Sequence, residues 1–94
     1  MMKIMLTVEY ANGSSADAEA SVRDFIAFER RYDKPIASFA NDVRIEYMCY
    51  LAWHALHRNK QTALEFDEWL ETVAELSIKE EQDIVPLENS QPIG

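Results

Sequence analysis

Glycine is almost missing from this chain: Gly13 and Gly94 are the whole supply, which excludes a glycine-rich loop that cradles a phosphate by close backbone approach. Cysteine is scarcer still. Cys49 has no partner for an internal disulfide, and within an apolar stretch it reads as a small core residue of a reducing compartment. Histidine occurs twice, at His54 and His57. The five residues from Cys49 to His54 turn a helix through about 500°, which leaves the thiol about 140° from the ring. Two ligands do not make a zinc site, which needs three or four, so neither a metal nor another cofactor is expected. No run reaches the roughly 20 consecutive apolar residues of a membrane span. The opening MMKIMLTVEY alternates and lacks a small-residue cleavage site, so it reads as mature sequence rather than a leader.

Basic residues are missing from one region in particular. Up to residue 64, Lys and Arg balance Asp and Glu, whereas from Glu65 onward Lys79 stands alone against nine acids, so the net charge of -8 belongs to the last third. Without clustered Lys and Arg, binding to nucleic-acid phosphates is not expected. The acidic end reads as a solubilising tail. A chain of 94 residues holds one domain, whose small core is marginal unless oligomerisation or binding adds to it.

What the chain has in abundance is the segment from Arg44 to Arg58, RIEYMCYLAWHALHR. Ten of the twelve residues from Ile45 to Leu56 are apolar or aromatic and point in every direction around a helix, which must therefore be buried on most sides. Upstream, Ile4, Leu6 and Val8 alternate with Lys3, Met5, Thr7 and Glu9, the pattern of a strand with one covered face, and Asn12-Gly13 suits a tight hairpin turn. Residues 14 to 20 are poor in β-branched side chains, so the element is a strand or a hairpin. Ser21 followed by Asp24 approximates a capping box and predicts a helix over 21 to 32, with Val22, Phe25, Ile26, Phe28 and Tyr32 on one face.

Glu29 interrupts that face. A carboxylate there needs a partner, and the reading is a structural ion pair with Arg44, or a cap on a neighbouring helix, in preference to a catalytic acid. Pro35 breaks the first helix, and a second runs from 36 to 58 or starts afresh near Asn41-Asp42, closing at Asn59 in a left-handed conformation. Phe66, Trp69, Leu70 and Val73, prolonged by Leu76 and Ser77, predict a third helix over 66 to 77. The charge run after Ser77, with Pro86 and Pro92, predicts a disordered acidic tail over 78 to 94. The expected fold is thus mainly α: a three-helix domain over 1 to 77 with an N-terminal β-strand or hairpin. No convergent carboxylate pair marks an enzyme. Phe25, Phe28, Tyr47, Tyr50, Trp53, Phe66 and Trp69 compete for one small core. Some are therefore expected to face a partner, with Phe25, Phe28, Tyr47, Tyr50, Trp53 and Trp69 as the candidate contacts.

Three phrases in order, RDFIAFERRYDKPI at 23 to 36, EYMCYLAWHALHR at 46 to 58 and FDEWLETV at 66 to 73, resemble the tail assembly chaperones of long-tailed bacteriophages, in the version common among phages of actinobacteria. That family has an "AFER" helix, an "LAWxALxR" helix and an "FDEWL" helix in the same order, and the resemblance covers residues 3 to 77. It implies a non-enzymatic protein of the host cytoplasm, absent from the mature virion, that coats the tape measure protein, keeps it soluble and helps recruit tail tube subunits. It further implies a longer frameshift product of the same gene as a partner, this chain being the shorter product. Self-association is expected, and neither nucleic acid nor membrane. A reading from another class is a small acidic regulatory or inhibitor protein acting on a DNA-binding partner, which requires an ordered row of carboxylates at phosphate-like spacing.

Overall fold

The N-terminal alternation becomes β1, Ile4–Tyr10, and Asn12-Gly13 turns the chain back into β2, Ser15–Ala20, so the hairpin is complete. Gly13 takes a φ of 94°, open to it for want of a Cβ. The Asn12 carboxamide oxygen accepts the Ser14 amide at 2.9 Å and its hydroxyl at 2.7 Å. The computed structural model describes residues 3 to 82. After the hairpin come α1, Val22–Tyr32; α2, Ser38–Asn41; α3, Ile45–Arg58; α4, Phe66–Leu70; and a third strand, β3, Val73–Gln82. The sheet is antiparallel with order β2-β1-β3. Ile4, Leu6, Val8, Ala18 and Ala20 are buried on its inner face, where α3 crosses closest to β2. Glu9, Asp17, Glu19, Glu75 and Ser77 are exposed on the other face.

The mainly α expectation is corrected at β3: the fold is an α/β mix, a three-stranded antiparallel sheet with four helices. The third helix stops at Leu70 because the next bonds tighten. Glu71 donates its amide to Glu68 O at 3.2 Å, Thr72 donates to Trp69 O at 2.9 Å, and the Thr72 hydroxyl donates to the same carbonyl at 2.7 Å. The Thr72 carbonyl then accepts the Ala11 amide at 2.8 Å, which hooks the chain to the β1–β2 turn. From there the second edge of β1 pairs with β3, setting Val8 opposite Leu76 and Leu6 opposite Ile78. A ladder of backbone bonds overrides the helix propensity of Ala74-Glu75-Leu76. The boundary expected at residue 77 therefore falls inside a strand, and the rest of the expected tail, 83 to 94, lies outside the described residues.

The second helix starts afresh, but after extended Arg44 rather than at Asn41 or Asp42, with α2 as a separate single turn before it. Its end falls at Arg58 as expected, but the left-handed residue lies one position beyond Asn59. Asn59 keeps a φ of -89°, and Lys60 is left-handed at 64°. Gln61 donates to Leu56 O at 2.8 Å and Lys60 to His57 O at 3.0 Å, a Schellman closure with lysine where glycine is usual.

Candidate functional site

Asp24 is the one buried charged residue of the described chain, fully shielded at the third position of α1. One oxygen, Oδ2, accepts the Ser21 amide at 2.9 Å, closing the capping box, and one Arg58 Nη at 2.7 Å. The other, Oδ1, lies 2.6 Å from His54 Nδ1 and 3.1 Å from Arg58 Nε. His54 and Arg58 stand one helical turn apart on α3, so both reach the same carboxylate. Burial pushes the Asp24 carboxyl up, but the bonds from Arg58, His54 and the Ser21 amide outweigh it and hold the group below its ordinary range. The Arg58 guanidinium is held above its usual value, chiefly by the Asp24 bond. His54, at the edge of the core, thus has the buried Asp24 carboxylate as its partner. The sequence marked Asp24 as a cap; its second duty, thirty residues away, had no local signal.

In front of this cluster lies a groove of about 330 Å³ lined by Arg23, Ile26, Ala27 and Arg30 of α1 and by His54 and Arg58 of α3. The four α1 residues follow helical spacing along one stripe. Arg23 and Arg30 are exposed and make no ion pair among the described residues, and Ile26 is 43% exposed between them. None of the six lining residues carries a hydroxyl or thiol, so the groove offers guanidinium donors and the His54 imidazole over an apolar floor.

The expected Glu29–Arg44 pair is not formed. Glu29 Oε2 accepts the Ile36 amide at 2.7 Å, capping the turn that leads into α2, while Arg44 Nε bonds Asp42 at 3.1 Å and its guanidinium lies over Tyr47. A backbone donor seven residues away competes for the carboxylate at lower entropic cost than a long exposed arginine.

Of the six aromatics expected at a partner surface, Phe25, Phe28, Tyr47, Tyr50 and Trp69 are buried in the chain's own core, and Trp53 is half-buried with its indole N–H on Leu64 O at 2.9 Å. The core takes them because β2 turns only Ala16, Ala18 and Ala20 inward, leaving volume for rings. Phe28 and Tyr47 meet edge to face at 5.1 Å, and Trp69 donates to the Tyr10 hydroxyl at 3.2 Å. Burial pushes the Tyr32 phenol up to about 12, with Arg31 pulling it down and Glu46, which accepts its proton at 3.0 Å, adding to the rise. Burial likewise raises the Cys49 thiol, the setting of an inert core cysteine.

The large side chains left exposed are aliphatic: Val22, Ile26, Val43, Ile45 and Leu64. On the outer face of the sheet, Asp17 accepts Lys79 at 3.1 Å and Thr7 at 3.0 Å, and Glu19 lies 3.8 Å from Lys3. The Lys79 bond, then the Thr7 bond, lowers the Asp17 carboxyl. Asp17 and Glu19 are thus partly neutralised, whereas Glu9 and Glu75, opposite each other on the same face, make no ion pair among the described residues. Among the described residues no three metal-binding groups converge, and no helix is long and apolar enough to cross a membrane. No family model, curated protein or solved structure matches this chain.

Proposed function

We propose that this protein is a bacteriophage tail assembly chaperone, which binds and solubilises the tape measure protein in the host cytoplasm, helps recruit tail tube subunits and acts beside a longer frameshift product. One observation carries the reading. The three phrases that resemble the family are separate in sequence, and their side chains meet in the fold. Arg31 of the first lies 5.0 Å over the Tyr50 ring of the second and 5.2 Å over the Phe66 ring of the third. Asp24 of the first binds His54 and Arg58 of the second. Contacts among the three phrases support reading them as one unit, which is how they stand in the resemblance.

The client surface is aliphatic, because the aromatics are already covered. Val43 and Ile45, 49% and 70% exposed at the start of α3, are the most open apolar pair. An amphipathic helical client can seat its apolar face there. Co-expression with the tape measure protein tests the role: the client moves from the insoluble to the soluble fraction, and Val43→Asp with Ile45→Asp returns it to the pellet. A client equally insoluble with and without this chain refutes the proposal.

A further inference from the structure

We propose that the groove between α1 and α3 is a binding site for an acidic peptide segment, one that presents carboxylates to Arg23, Arg30 and Arg58 and an aliphatic side chain to Ile26. The charge distribution points there. In a chain of net charge -8, this groove gathers three guanidiniums and an imidazole, with no acidic residue among its six lining side chains. Two of the guanidiniums, Arg23 and Arg30, have no counter-ion among the described residues.

The third is built into place. Buried Asp24 takes Arg58 through Nε and one Nη and clamps His54 beside it, so both rest on the groove wall without a change of rotamer on binding. Arg58 still has donors to spare, since a guanidinium carries five N–H groups. Paired N–H donors match a carboxylate in bidentate geometry, and a donor already held loses little entropy when it binds.

The apolar floor selects the class of anion. Ile26 and neighbouring Val22, 43% and 53% exposed, gain by covering an aliphatic side chain and gain nothing from a phosphate or a sugar. The surrounding negative charge also repels a polyphosphate backbone, whereas a peptide bearing one or two acids feels mainly the local field. This inference does not rest on the chaperone reading, and its test uses peptides alone.

The test is selection of a displayed library of random short peptides on the intact protein, counter-selected on Arg23→Glu with Arg30→Glu, both exposed positions whose replacement leaves the Asp24 cluster in place. Matching melting curves establish that the variant is folded. The expected peptides are rich in Asp or Glu next to Leu, Ile or Val, bind the variant at least about tenfold more weakly, and weaken as salt rises. Their Asn and Gln versions lose binding, and Ile26→Ser weakens the acidic ones. No enrichment, peptides without acids, equal binding to the variant, or full displacement by equimolar inorganic phosphate or a single-stranded oligonucleotide each overturns the proposal.

Discussion

Replacing Asp24 by Asn removes one fully buried charge from the centre of its cluster and leaves the amide nearly the same size. Breaking a buried pair by removing one partner costs about 3–5 kcal/mol. Arg58 and His54 retain 29% and 27% side-chain exposure and can turn toward water, which places the loss at the lower end, about 3 kcal/mol. For a domain of this size that lowers Tm by roughly 12 °C or more. The pH dependence carries the sharper test. The folded-state value of Asp24 lies below its unfolded value of 3.8, so its contribution is fully present above that pH and is lost as the pH falls through the folded value. Thermal or urea unfolding of both proteins from about pH 7 to about pH 2 should show a wide gap that closes in acid. A gap below about 1 kcal/mol at neutral pH, or one that stays constant into acid, refutes the assignment of the cluster as a stabilising ion pair.

Three further outcomes follow from particular bonds. Glu29→Ala should cost about 1.5–3 kcal/mol in urea unfolding, since it removes a charged acceptor from the Ile36 amide, while Arg44→Ala should leave the unfolding midpoint nearly unchanged; the reverse order would restore a Glu29–Arg44 pair. Lys60→Gly should stabilise by about 0.5–1 kcal/mol, because a φ of 64° strains a residue with a Cβ, and a lower Tm would contradict the closure drawn for α3. A chain ending at Ser77 loses half of β3 and should melt lower than one ending at Gln82; equal melting would mean the second half of the strand adds no stability.

Local chemistry sufficed wherever a residue's neighbours in sequence settle its conformation. The hairpin turn at Asn12-Gly13, the capping box at Ser21 and Asp24, the stop at Pro35 and the buried character of α3 are short-range events, set by a positive φ, a side chain reaching its own backbone, a missing amide or an unbroken apolar surface. Two features were out of reach. Residues 73 to 78 satisfy both a helical spacing and a two-residue alternation, and β1's open edge, more than sixty residues upstream, decides between them by supplying a ladder of backbone partners. The fate of the aromatics turned on the alanines of β2, whose small size sets the room under α3, and no count of rings contains that volume. The groove shows the same division. Its arginines and isoleucine are legible as a stripe on α1, but their meeting with His54 and Arg58 depends on Asp24 being buried between two helices, and burial belongs to the assembled fold.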